Sequence, residues 1–192
     1  MSHRLSTRRK GIGALAVAIS ANLALAAVVA GAQAGPSYLA VSGWSAGAVG
    51  PNLVRLSAAT NGAIPKRADQ FINDNVIVGI AWADFGTGTA LVATIHSILG
   101  RDSNQRPDSW HLHTVTLTGG ATAPNDLCLV SVDSTPTAGI AIDGNSMTIS
   151  LSASKLPGNG AVSVADLDGA VGFTVHGGDA GCATGLGVRV RT

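Results

Sequence analysis

The chain has 192 residues, of which 12% are charged and 4% are aromatic, and its formal net charge is +1. All 11 acidic residues are aspartates, so every mechanism that needs a glutamate is excluded. Aspartate favours caps and turns whereas glutamate populates helices, and this composition therefore argues against a helical protein.

The first 34 residues have the pattern of an export signal. Residues 1–10 carry four basic side chains and no acid, residues 11–30 are uncharged and mostly apolar, and Ala32-Gln33-Ala34 is a small-x-small cleavage site. We therefore expect 1–34 to be a signal peptide with a helical apolar part, and the protein to be secreted or periplasmic. The alternative is a retained anchor, because 20 apolar residues can span a bilayer.

Cleavage leaves residues 35–192, a length that fits one domain with a real core. Four of the 12 basic residues leave with the signal, so 8 basic residues stand against 11 acidic ones and the net charge becomes −3. That charge gives no basis for binding nucleic acid or an anionic membrane. No segment of this part is apolar enough to span a membrane, so we expect a soluble mature product.

Cys128 and Cys182 are the only cysteines, and both lie in the exported part. A cysteine pair in an oxidising compartment most simply forms a disulfide, here closing a loop of 54 residues. Two free thiols are the alternative, whereas a redox-active pair normally has the spacing C-x-x-C.

Short segments rich in Val, Ile and Thr recur between turn residues, which is typical of strands. They are Asn75–Ala83, Thr89–Leu99, Trp110–Thr118, Leu127–Val132, Ile140–Ile142, Met147–Leu151, Ala161–Ala165, Val171–His176 and Gly187–Arg191. Their number and spacing predict an all-β domain over 62–192, an antiparallel β-sandwich of Ig-like or similar Greek-key type. A partly closed barrel is the alternative. Residues 35–61 are either a flexible leader or an added edge strand.

His111 and His113 form the one constellation that suggests metal chemistry. Residues two apart on a strand point to the same side, so both imidazoles face one way, as in half of a metal site. His96 and His176 are candidates for further nitrogens, and Zn or Cu suits imidazole ligands best. Aspartate oxygens are candidates at Asp102, Asp108 and Asp179. The alternative interpretation is a pair of hydrogen-bonded histidines at a sheet margin.

His111-Leu112-His113 resembles the H-x-H strand of copper/zinc superoxide dismutases, and Gly178–Cys182 with Gly187-Val188 is similar to their C-terminal glycine- and cysteine-containing stretch. The resemblance covers fewer than 20 residues. It implies a β-sandwich with an internal disulfide. That family places several histidines after the H-x-H, whereas only His176 follows it here, so dismutase activity is not implied.

Three function classes are consistent with these observations. The first expectation is a non-catalytic exported domain that binds a protein, a glycan or a surface, with Trp110 as a possible ligand contact. The second is a Zn- or Cu-binding extracytoplasmic protein centred on His111 and His113. The third is a secreted hydrolase, for which no residue is nominated because the chain lacks a G-x-S-x-G elbow.

Overall fold

The computed structural model describes residues 35–67, 77–96 and 109–192, and in this part of the chain ten antiparallel strands form the fold. The strands are β1 (Val41–Ala48), β2 (Leu53–Thr60), β3 (Ile77–Asp84), β4 (Thr89–Ile95), β5 (His111–Thr118), β6 (Asp126–Ser134), β7 (Gly139–Asp143), β8 (Ser146–Ser152), β9 (Gly169–Gly177) and β10 (Leu186–Arg191). A 3₁₀ turn at Ala153–Lys155 and a helical turn at Pro157–Gly160 separate β8 from β9. The predicted all-β class is confirmed.

The strands form two sheets, but these are not the two open sheets of the predicted sandwich. One sheet has four strands in the order β1-β2-β8-β7, and the other is a closed barrel in the order β10-β6-β5-β4-β3-β9. Closure occurs because β10 pairs with β9 on one side and, from Gly187 to Arg189, with β6 on the other. This second pairing removes both free edges of the sheet, which the strand pattern of the sequence does not reveal.

Residues 35–61, the predicted leader or edge strand, contain two strands of the four-stranded sheet. β1 lies at its edge, and β2 pairs with β8 from Leu53↔Ser152 to Ala59↔Ser146. The predicted turn after β7 is present, with Gly144 in the left-handed region at φ 57°. The predicted strand at Ala161–Ala165 is wrong, because the Asp166 carboxylate accepts hydrogen bonds from the Ser163 amide and hydroxyl and closes a turn.

The larger core lies between the barrel and the four-stranded sheet. Its barrel side is supplied by alternate residues of β3, β4 and β5, and its sheet side by β2 and β8. Its members include Ile80, Trp82, Leu91, Ile95, Leu112, Leu56, Met147 and Ile149. Trp82 is fully buried and its indole N–H donates to the Ser57 carbonyl across the interface, at 3.2 Å, so its one polar atom is satisfied.

The second core lies inside the barrel and is less completely filled. It combines small residues such as Ala81, Ala83 and Ala90 with larger ones from β6, β9 and β10, around a cavity of about 700 Å³. Phe173 packs its ring over Gly79, where an added Cβ would lie 2.5 Å from the ring. Because Gly79 has no side chain, the Phe173 ring can lie against its backbone inside the barrel.

The cysteine pair is confirmed as a disulfide: Cys128 of β6 is bonded to Cys182, in the loop before β10, and their Cα atoms are 5.2 Å apart. The bond ties β6 to the loop that leads into β10, next to the short pairing that closes the barrel. In the described ranges, no helix is long and apolar enough to cross a membrane. The expected signal helix at 1–34 lies outside these ranges.

Candidate metal centre

Three of the four candidate histidines meet at one end of the barrel interior. His111 and His113 begin β5, and β4 brings in His96, because Thr94 is paired with His111 and Val92 with His113. All three are buried. His96 and His113 border the cavity together with Val115, which continues the same face of β5. The prediction that His111 and His113 share one face is confirmed.

The three rings are close enough to share one ion. Ligand nitrogens of His96, His111 and His113 all lie within 4.8 Å of one another. The Nε2 atoms of His96 and His111 are 2.9 Å apart, and the ring centroids of His111 and His113 are 4.9 Å apart. In a tetrahedral site with metal–nitrogen bonds of about 2.0–2.1 Å, nitrogens lie roughly 3.3 Å apart. Shifts of an ångström or so would therefore bring all three rings onto one metal.

Hydrogen bonds on the far side of two rings leave Nε2 as the ligand atom in His111 and, where the Thr135 hydroxyl accepts, in His113. His111 Nδ1 lies 3.0 Å from the Ser109 carbonyl oxygen. A carbonyl only accepts, so Nδ1 carries the proton and Nε2 keeps its lone pair. His113 Nδ1 lies 3.2 Å from the Thr135 hydroxyl, which can accept in the same way. Metal-binding histidines in proteins usually have this second hydrogen bond, which fixes the tautomer and the ring orientation.

His176, the fourth histidine considered, is not part of this group. Its Nε2 lies 2.9 Å from Asp126 Oδ2, and the Arg189 guanidinium contacts the same carboxylate. Burial of the Asp126 carboxyl raises its pKa, but the hydrogen bonds and charges of Arg189 and His176 outweigh this effect, and the pKa lies below its ordinary value. His176 therefore belongs to a partly buried ion-pair network at the seam between β6 and β10.

Asp179, one of the three aspartates considered as oxygen ligands, does not join the group. Asp179 uses Oδ1 to accept hydrogen bonds from the Thr122 hydroxyl and amide and from the Gly181 amide. The Thr122 hydrogen bonds are the main reason that the pKa of Asp179 lies below its ordinary value. Asp102 and Asp108 lie outside the described residues.

Trp110, the possible ligand contact, is placed in the core between the barrel and the four-stranded sheet, with 8% of its surface exposed. Its indole N–H donates to the Pro65 carbonyl at 2.6 Å. The ring is thus engaged in packing and does not form a surface groove for a glycan.

Three residues around the histidines were not predicted from the sequence. Thr94 lies 3.4 Å from His111 Nε2, and its position two before His96 on a strand was an available signal. Thr135 follows β6, whose pairing with β5 contains two register shifts, so no spacing rule points to it. Ser109 contributes a backbone carbonyl, which no side-chain pattern reports.

The fold and the site together define an all-β protein with a closed six-stranded barrel and a buried three-histidine cluster at one end of the barrel cavity. No protein-family model matches the chain, and neither the curated proteins nor the solved structures gave a match. The function must therefore be inferred from the residues themselves.

Proposed function

We propose that this protein is an exported metal-binding protein that holds one Zn or Cu ion through His96, His111 and His113. The observation that carries the proposal is the convergence of three buried imidazoles with nitrogens within 4.8 Å of one another. The Nε2 atoms of His96 and His111 are in contact with each other. A metal ion between the rings would replace that contact with a coordinate bond to each of the three imidazoles.

The chemistry of the ligand set favours Zn or Cu over other metals. Neutral imidazole suits these ions, whereas Mg and Ca prefer oxygen ligands. Among the described residues three ligands are available, which leaves a fourth tetrahedral position open, as in catalytic zinc sites. Two of these ligands, His96 and His113, border the cavity. The open position is available to a water molecule or to a donor atom of a ligand.

Export to an oxidising compartment is part of the proposal. The Cys128–Cys182 disulfide is consistent with an oxidising compartment, as the sequence of residues 1–34 leads us to expect. Binding of a protein, glycan or surface partner, the first expectation from the sequence, stays a prediction. The position of Trp110 in the core provides no support for it.

Elemental analysis of the purified protein, followed by calorimetric titration of the metal-free form with Zn and Cu, tests the proposal. We expect one ion per chain. A His111→Ala/His113→Ala double variant should bind at least about 100-fold more weakly, since two of three ligands are lost. The matched control is His176→Ala, which removes an imidazole from the Asp126 pair and should keep full metal content.

Two results would contradict the proposal. One is protein that binds neither ion with a dissociation constant below about 10 μM, an affinity that structural and catalytic zinc sites exceed. The other is a double variant that binds as tightly as the parent protein, which would locate the metal elsewhere. Zn at about 100 times its dissociation constant should also stabilise the parent by about 2.7 kcal/mol, and leave the double variant unchanged.

A further inference from the structure

The cavity beside the three histidines is lined mostly by apolar side chains, which suit an apolar ligand. All six barrel strands contribute to it, and most of its side chains are aliphatic or phenyl, among them Ile77, Val115, Leu127, Phe173, Val175 and Val188. Val132 borders the cavity and is paired with Val115, yet it is 50% exposed. An opening to solvent therefore lies beside Val132, in the part of β6 that extends beyond its pairing with β10.

Several polar groups gather at the same end of the cavity, while Asp84 and Thr89 border it near the β3–β4 turn. His96 and His113 border it together with Thr94, Ser134 and Thr135. Register places them near one another, because Ser134 is paired with Thr114 and the Thr135 hydroxyl contacts the His113 ring. A molecule in the cavity thus meets apolar side chains along its length and the histidine cluster at one end.

The charge of the proposed metal site indicates which chemical group of a bound molecule would contact the metal. Three neutral imidazoles leave a divalent ion with a charge of +2 in a buried site, and such a charge is unfavourable unless it is paired. Asp133, which borders the cavity next to Ser134, is engaged by hydrogen bonds from the Thr116 and Ser131 hydroxyls. A carboxylate from a bound molecule would supply a fourth ligand and a negative charge that the described residues do not provide.

We infer that the barrel binds an apolar carboxylic acid, with its carboxylate on the metal and its tail in the cavity; this inference rests on the proposed metal site. The size of the cavity limits the length of the tail. About 700 Å³ corresponds to roughly 23 water volumes of about 30 Å³ each, and ligands seldom fill a pocket completely. Acids of about 10 to 16 carbons fit this space.

Calorimetric titration of the zinc-loaded protein with dodecanoate tests the inference. We expect one dodecanoate per chain, at least about tenfold weaker binding after zinc is removed, and at least about 100-fold weaker binding of acetate, which lacks the tail. Ala81→Phe places a ring in the cavity and should weaken dodecanoate binding at least about tenfold while zinc content stays the same. Val130→Phe is the matched control, because Val130 is 46% exposed on β6 and does not border the cavity.

The outcomes separate this inference from the proposed function. Zinc-loaded protein that fails to bind dodecanoate, or that binds it as tightly as acetate, overturns the inference and leaves the metal site standing. Equal binding with and without zinc also overturns it, since the carboxylate then does not meet the metal. Protein that takes up no metal overturns the proposed function itself, and the inference with it. The acetate comparison decides the matter even if Ala81→Phe does not fold.

Discussion

Strands β3 and β4 bury both of their faces, and the two faces carry side chains of different size. The face toward the four-stranded sheet holds Ile80, Trp82, Leu91 and Ile95, and the face toward the barrel interior holds Ala81, Ala83, Ala90 and Val92. Large residues fill the first space, whereas small ones leave the cavity in the second. Protein interiors are normally close-packed, and a cavity costs stability. The outer core therefore stabilises the fold, while the inner face leaves the volume that the proposed ligand would occupy.

The largest expected effect is the difference between one leucine from each core. Leu91→Ala in the outer core should lower the free energy of unfolding by about 3–5 kcal/mol, because it empties a site that is packed on all sides. Leu127→Ala, whose side chain borders the barrel cavity, should cost about 2 kcal/mol because fewer contacts are lost. Chemical denaturation of both variants measures the difference. Equal losses would show that the barrel interior is as tightly packed as the outer core.

Removal of the disulfide should cause the next largest loss of stability, and the barrel should be the part of the molecule that is loosened. A Cys128→Ala/Cys182→Ala variant should lose about 2–4 kcal/mol, since the bond closes a loop of 54 residues. The bond lies beside the short β6–β10 pairing that closes the barrel. Hydrogen exchange should therefore accelerate first at amides of β6 and β10, with β2 and β8 still protected. Uniform acceleration in both sheets would contradict this division of the molecule.

The ion pair at the barrel seam makes a smaller, pH-dependent contribution. The Asp126 carboxyl has 1% of its side-chain surface exposed and contacts Arg189, which is 30% exposed. Asp126→Asn should cost about 1–3 kcal/mol at neutral pH, because charged hydrogen bonds are replaced by weaker ones.

The sign of the pH dependence is set by the lowered pKa of Asp126. A carboxyl with a lower pKa in the folded than in the unfolded state stabilises the fold above its ordinary pKa of about 3.9. This contribution is lost as the pH falls through the lower, folded-state value. Unfolding free energies of the parent and Asp126→Asn should therefore converge below about pH 4. Asp143→Asn, at the exposed end of β7, is the charge-matched control and should leave the free energy of unfolding near that of the parent. A constant gap for Asp126→Asn would argue against the ion pair.

The sequence predicted most strands and named the three histidines that meet, but it did not separate His176 from them, for reasons that individual residues make clear. Period-two spacing correctly put His111 and His113 on one side of β5, since that rule needs no knowledge of the fold. To place His96 beside these two histidines, one must know the register between β4 and β5. To place His176 away from them, one must know that β10 pairs with both β9 and β6. One register step turns a side chain to the other face, and local sequence does not fix it.

The barrel was only the alternative to the predicted sandwich, for a related reason. β3 is apolar on both faces, so its sequence cannot show which face meets the second sheet and which encloses a cavity. Side-chain size is the only feature of the sequence that distinguishes the two faces: the large Trp82 alternates with the small Ala81 and Ala83. This alternation can be interpreted only when both faces are known to be buried.

The smallest expected effect is at Ala81, and it is the most direct test of the difference between the two faces. Ala81→Leu extends into the cavity and should change the free energy of unfolding by no more than about 0.5 kcal/mol. Ala93→Leu adds the same side-chain atoms to the filled face of the neighbouring strand, where Ala93 is fully buried, and should destabilise by about 1–3 kcal/mol. Denaturation curves of the two variants give the result directly. If both leucines destabilise equally, the barrel has no spare volume, and the small residues of its inner face serve packing rather than a ligand.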